Sequence, residues 1–247
     1  MNRSLKLLYG FLITALTVCL TFAAHNTGGP PLERQSMLEI IEEDVNLTRY
    51  HLNRDTLSDK VMQRIASVPR HEFVPDRIKS LAYKNRPLSI GYEQTISQPY
   101  IVAIMTDLLE LKADQRVLEL GTGSGYQAAI LSGLVKEVLS IEIIEPLGLA
   151  AKARLSRLGY DNVTVKIGDG YNGWEALAPY DAIIVTAATD HIPPPLTKQL
   201  KIGGRMIIPV GCEHMTQELL LVTKQAEDKI ISRKIIPVRF VPVTGVH

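Results

Sequence analysis

From Met37 to Val45 the apolar residues Met37, Leu38, Ile40, Ile41 and Val45 recur at three- and four-residue steps among Glu39, Glu42, Glu43 and Asp44. That period predicts an amphipathic helix, and residues 58–66 repeat it. The prolines of Val-Pro-Arg-His-Glu-Phe-Val-Pro at 68–75 break the helical pattern. Residues 86–100 show no clear period and read as a loop rich in hydroxyls and amides, followed by a helix over 101–111. Beyond Arg116 the pattern changes to short apolar runs at 117–120, 138–142, 163–167, 181–187 and 205–210, with helix-compatible stretches at 127–134 and 146–158. Such runs predict strands buried on both faces, and their alternation with helices predicts a parallel sheet wrapped by helices. Two further extended runs, 218–223 and 229–241, have no helix between them and predict an antiparallel pair closing the sheet.

The run Arg-Val-Leu-Glu-Leu-Gly-Thr-Gly-Ser-Gly-Tyr at 116–126 is where strand, tight turn and helix meet. Gly121, Gly123 and Gly125 allow positive φ and let a ligand approach the backbone, so the turn suits a dinucleotide or nucleoside; the plain alternative is a tight turn with no ligand. Glu142 closes the next strand twenty-one positions after Gly121, where an acid bonds ribose hydroxyls. The spacing Gly-x-Gly-x-Gly leans away from a pyrophosphate and towards a nucleoside without phosphate, such as S-adenosylmethionine. Gly168-Asp169-Gly170 follows the third strand, which predicts that Asp169 faces the same crevice; the alternative is a turn-forming Asp-Gly. In the 86–100 loop, Thr95 and Ser97 either carry function or cap the helix that follows. His71 reads as a capping or packing histidine, since no metal-ligand spacing surrounds it.

A chain of 247 residues holds one sizeable domain, alone or with a small appendage. Net charge of +1 gives no basic stripe for nucleic acid. Cys19 and Cys212 support neither a disulfide framework nor a metal site. At the N-terminus, Arg3 and Lys6 precede a nearly charge-free run over 7–24 that ends in small residues, the layout of a signal peptide. Residues 5–24 are also long enough for a single membrane anchor, the one route to membrane contact. Leu-Thr-Val-Cys at 16–19 is a poor lipidation box, because Val18 stands where a small residue is wanted. The expected organisation is a signal-like or anchor segment at 1–24, a linker at 25–32, a helical region with a substrate loop at 33–110, and a nucleoside-binding region at 111–247.

Several longer motifs stand in one order: the run at 68–75, Gln-Thr-Ile-Ser-Gln-Pro-Tyr at 94–100, Val-Leu-Glu-Leu-Gly-Thr-Gly-Ser-Gly-Tyr-Gln at 117–127, Gly-Asp-Gly at 168–170, Ala-Pro-Tyr-Asp-Ala-Ile-Ile-Val-Thr-Ala-Ala at 178–188, and Val-Arg-Phe-Val-Pro at 238–242. Together they resemble the protein-L-isoaspartate O-methyltransferases over most of the chain. The resemblance implies a Rossmann-like S-adenosylmethionine-dependent α/β fold, a mostly parallel doubly wound sheet with an antiparallel C-terminal strand pair and an N-terminal helical extension. It implies methylation of the free α-carboxylate of isoaspartyl residues, whose ester collapses to a succinimide and partly reopens as aspartate. Carried over residue by residue, it makes Ser97 the active-site hydroxyl with Thr95 beside it. It gives Glu119, Gly121, Thr122, Gly123, Ser124, Glu142, Asp169 and Gly170 to the cofactor, and Gln94, Ile96, Val238, Arg239, Phe240 and Val241 to the peptide, with no metal.

Two features depart from that family. Glu93 stands where many members have Gly, so its charge either lies beside an anionic substrate or points outward. The N-terminal segment is unusual for a cytoplasmic enzyme: the flanking Arg3 and Lys6 argue for translocation, whereas the chemistry needs cytoplasmic cofactor, and initiation at Met37 removes the conflict. The expectation is a monomeric cytoplasmic enzyme acting on isoaspartyl proteins and peptides, the alternative being a periplasmic or anchored one. A nicotinamide dehydrogenase is disfavoured by the glycine spacing; a non-catalytic binding module or a different carboxylate acceptor are the other readings.

Overall fold

The computed structural model describes residues 31–212, 215–243 and 245; the apolar N-terminal run and most of the expected linker lie outside them. Helix α1 (Pro31–Leu52) buries Met37, Ile41 and Val45, one residue per turn of its inner face, against α3 and β9. Ile40 falls on the outer side of that stripe and stays exposed. Helix α2 (Asp59–Ser67) buries Val61 and Ile65, and the prolines after it allow only 3₁₀ turns at Arg70–Phe73 and Asp76–Leu81.

The stretch expected as a loop is instead a hairpin. Strands β1 (Leu88–Gly91) and β2 (Gln94–Ile96) pair antiparallel, with Leu88 opposite Ile96 and Ser89 opposite Thr95. Each strand is so short that its apolar alternation is two or three residues long, and the surrounding hydroxyls hide it. Helix α3 (Pro99–Leu108) begins with proline in its first turn, where the missing N–H costs nothing, and ends three residues before the expected boundary. Gln98 occupies its N-cap position without a side-chain bond, so neither Thr95 nor Ser97 caps it.

The sheet is built from β3 (Arg116–Leu120), β4 (Glu137–Glu142), β5 (Val163–Ile167), β6 (Tyr180–Val185), β7 (Leu200–Val210), β8 (Gln217–Ala226) and β9 (Lys229–Val238). Helices α4 (Tyr126–Ser132), α5 (Glu145–Arg157) and α6 (Pro194–Gln199) join the parallel strands. Strand order is β5-β4-β3-β6-β7-β8-β9, parallel from β5 to β7 and antiparallel through β8 and β9. Strand β9 ends at Val238, short of the expected 241, and residues beyond it leave the sheet.

Alternate residues of β3 feed opposite cores. Val117 joins the cluster formed with α1 to α4, while Leu118 and Leu120 join a second cluster with Leu139, Ile183 and Met206. Burying one such side chain contributes about 1.5–3 kcal/mol, so both faces of the sheet hold it in place. The chain runs from β3 out to β5 and then crosses back to β6 on the other side of β3. That reversal leaves a crevice at the carboxyl ends of β3, β4 and β6, where ligands bind in open α/β sheets.

Candidate active site

The glycine turn opens this crevice. Gly121, Gly123 and Gly125 take φ of 90°, 53° and 86°, a left-handed run that residues with a Cβ rarely adopt. Gly121 N–H and Thr122 N–H donate to the Ile141 carbonyl, and Gly125 N–H donates to the Thr122 carbonyl, closing the turn at the start of α4. Glu142 stands where β4 ends. Its Oε2 accepts the Gly123 N–H at 2.7 Å and its Oε1 accepts the Ile144 N–H at 2.8 Å. A carboxylate oxygen has more than one lone pair, so both atoms keep acceptor capacity.

An open cavity of about 830 Å³ lies over this turn. Gly121, Thr122, Gly123, Ser124, Glu142 and Gly170 line it on the sheet side, and Gln94, Thr95, Ile96 and Ser97 of the hairpin line the other. Glu142 is the one charged residue in its wall among the described residues. A second cavity of about 430 Å³ adjoins it, with Val238, Arg239, Phe240 and Val241 in its wall; here Arg239 is the one charged residue. Thr95, Ser97, Thr186 and Val241 line both, so they mark the junction.

Two residues expected in the crevice sit behind or beside it. Glu119 does not line the cavity: it is fully buried on β3, and its Oε2 accepts the Ser140 hydroxyl at 2.5 Å. The Thr122 hydroxyl in turn reaches Ser140 Oγ, so a relay of side chains braces the turn from within the sheet. Burial pushes the Glu119 carboxyl up to about 8, with nearby Glu142 adding to the rise. Asp169 directs Oδ1 to the Tyr171 N–H at 2.8 Å, and it is Gly170 that reaches the cavity wall. Glu93 is exposed at the hairpin tip and lines neither cavity. His71 packs against Tyr83, its Nδ1 at 2.8 Å from the Tyr83 hydroxyl. Among the described residues no group of histidine, cysteine and acids is placed to hold a metal.

Thr186 had no role assigned from sequence. It follows β6, and its hydroxyl bonds the carbonyls of Leu120 and Gly121. Its position at the carboxyl end of a strand in the 178–188 motif was the available signal. The C-terminal stretch is pinned across the crevice by Ala188, which donates to the Val241 carbonyl and accepts from the Val243 N–H.

Comparison with known proteins places the chain in one family. The family described as Protein-L-isoaspartate(D-aspartate) O-methyltransferase matches residues 43–247. Protein-L-isoaspartate O-methyltransferase 2 of Polaromonas sp. strain JS666 is 58% identical over 209 residues, covering 85% of this chain and 99% of that one. Protein-L-isoaspartate O-methyltransferase 1 of Cupriavidus necator is 54% identical over 229 residues, covering 93% and 88%. A solved protein-L-isoaspartate O-methyltransferase superposes with a TM-score of 0.74 at 30% identity, covering 86% of this chain and 66% of that one. Another, from Plasmodium falciparum and in complex with S-adenosyl-L-homocysteine, gives a TM-score of 0.70 at 26% identity, covering 85% and 98%. With a family match over residues 43–247 and relatives more than half identical over most of their length, the chain belongs to the protein-L-isoaspartate(D-aspartate) O-methyltransferase family.

Proposed function

We propose that this chain transfers the methyl group of S-adenosyl-L-methionine to the free α-carboxylate of L-isoaspartyl residues in damaged proteins and peptides, the step that starts repair through a succinimide. The observation that carries this reading is the junction at Thr95 and Ser97, where the nucleoside-sized cavity meets the cavity walled by Arg239. When bound, S-adenosyl-L-methionine supplies an electrophilic methyl on a sulfonium. The residues present fit that group, because among the described residues the one charge in the wall of the larger cavity is an acid and no cation stands there for a phosphate.

Gly121, Thr122, Gly123, Ser124 and Gly170 shape the seat for the nucleoside, and Glu142 accepts from its ribose hydroxyls. Glu119 acts from behind by bracing the turn through Ser140, and Asp169 by setting the turn that presents Gly170. The substrate carboxylate is ionised at neutral pH and needs no general base. What the chain must supply is orientation, which contributes on the order of 7 kcal/mol or more in favourable cases. The Ser97 hydroxyl, with Thr95 beside it, donates to the carboxylate and aims it at the junction, as a positioner and not a nucleophile. Gln94, Ile96, Val238, Phe240 and Val241 border the peptide, and Arg239 supplies the charge complementary to an acid.

We read residues 33–110 and 111–247 as a helical region with the substrate hairpin and a cofactor region, preceded by a signal-like or anchor segment (1–24) and a linker (25–32). The enzyme is proposed to work as a monomer in the cytoplasm, where its cofactor is made, without nucleic acid; a periplasmic or anchored enzyme is the alternative. Among the described residues no helix is long and apolar enough to cross a membrane. The test is labelled-methyl transfer to a peptide pair differing only in isoaspartate versus aspartate. Base-labile label on the isoaspartyl peptide alone is expected, and equal or absent labelling of both would sink the reading.

A further inference from the structure

Arg70 is fully buried, in the 3₁₀ turn Arg70–Phe73 of the 68–75 motif, and it touches neither cavity. Its Nε donates to the Ala82 carbonyl at 2.8 Å and its Nη2 to the Ser97 carbonyl at 2.7 Å. Its guanidinium stacks 4.8 Å above the ring of Tyr126, which Phe73 meets edge-on from the same segment at 5.5 Å. Tyr126 is the first residue of α4, directly after the last glycine of the turn, and it lines the larger cavity. Burial lowers the Arg70 pKa to about 10, so the group remains a cation at neutral pH.

No acid pairs with this cation among the described residues; what offsets its burial is the Tyr126 side chain beside it, with Tyr83 adding a smaller share. An uncompensated buried charge is expensive, and an apolar side chain of similar volume fills such space at lower cost. An apolar side chain would not, however, hold two carbonyls at a set separation while stacking on a ring, which the planar fork of a guanidinium does. One group therefore joins the backbone that carries the Ser97 hydroxyl to the residue that leads out of the glycine turn.

We propose that Arg70 is a positioning residue, which sets the separation between the Ser97 hydroxyl and the glycine turn by holding the Ser97 carbonyl while stacked on Tyr126. This deepens the methyl-transfer reading and rests on it. A displacement of about 1 Å at such a junction lowers turnover on the order of a hundredfold without touching the seat of the nucleoside.

The test is a double-mutant cycle in the full chain with Arg70→Lys, Arg70→Gln and Ser97→Ala, measured on an isoaspartyl peptide and normalised to sites that bind S-adenosylhomocysteine by calorimetry. Arg70→Lys keeps the charge but offers a single donor without a stacking plane, and the cycle rests on it if Arg70→Gln does not fold. Expected is a kcat loss on the order of a hundredfold in the parent, shrinking to about threefold or less beside Ser97→Ala, because the hydroxyl to be positioned is then absent. S-adenosylhomocysteine affinity should stay within about threefold. Losses that add fully in both backgrounds, or that follow a matching loss of S-adenosylhomocysteine affinity, would overturn the proposal and leave Arg70 a part of the fold. An unmodified chain that labels no isoaspartyl peptide would overturn the parent reading, and this one with it.

Discussion

The Thr186 hydroxyl lies 2.6 Å from the carbonyl oxygen of Gly121 and 2.9 Å from that of Leu120, so the end of β6 is fastened to the glycine turn at the end of β3. A Cβ placed on Gly121 would stand 2.5 Å from Thr186 Oγ1, and the φ of 90° at Gly121 is strained for any residue with a Cβ. Gly121→Ala is therefore expected to cost at least about 1–2 kcal/mol at the turn and to weaken S-adenosylhomocysteine binding about tenfold or more. Thr186→Ser, which keeps the hydroxyl, should bind nearly as the parent does. Calorimetry on both variants decides it; parental affinity in Gly121→Ala would mean that the turn has slack.

Glu119 links stability to pH. Its carboxyl is held up to about 8 by burial, against an ordinary value of 4.5, so the folded protein binds this proton more tightly than the unfolded chain does. The stability it contributes is complete below about 4.5 and is lost as pH rises through about 8, at up to about 1.4 kcal/mol per unit. Glu119→Gln, neutral at every pH, removes that slope. In thermal melts the variant should gain on the parent steadily between about pH 5 and pH 8, with the gap levelling above. Parallel curves would show that Glu119 is ionised in the folded protein.

Arg239 is the one charged residue in the wall of the second cavity among the described residues, and it is exposed. Exposed charges act weakly and are screened by salt, so Arg239→Glu is expected to lower kcat/KM about three- to tenfold at low salt, with the deficit shrinking near 0.5 M salt, where the screening length is only about 4 Å. S-adenosylhomocysteine affinity should not change. A loss insensitive to salt would point to a direct bond from Arg239 in place of a field.

Glu93 and Tyr92 form the tip of the hairpin with φ of 59° and 51°, both in the left-handed region that glycine prefers. Glu93→Gly should relieve about 1 kcal/mol of backbone strain and raise the melting temperature by about 2–4 °C. Because Glu93 lines neither cavity, KM for isoaspartyl peptides should move by less than about twofold. A marked fall in KM would place the Glu93 charge beside bound substrate after all.

Much of the cofactor side was legible in the chain. The strand at β3, the three glycines and Glu142 follow one another within a short span, and the antiparallel pair at the end showed itself by the missing helix. Less legible was the hairpin, where β1 and β2 are too short to display a period and were expected as a loop. Thr95 and Ser97 stood out there only as hydroxyls, with capping an equal explanation until α3 was seen to start at Pro99 without a side-chain cap.

Sequence by itself determined what depends on neighbouring residues: which runs are apolar on both faces, where glycine must permit positive φ, and where proline ends a helix. Tertiary structure alone decided which polar atoms meet. Thr186 reaches Gly121 from sixty-five residues away, Arg70 reaches the Ser97 carbonyl from twenty-seven, and Glu119 turns to Ser140 and not to the crevice. The physical reason is that periodicity and backbone sterics act within a few residues. The partner of a buried donor or acceptor is set by strand order and by the crossover that brings β6 beside β3.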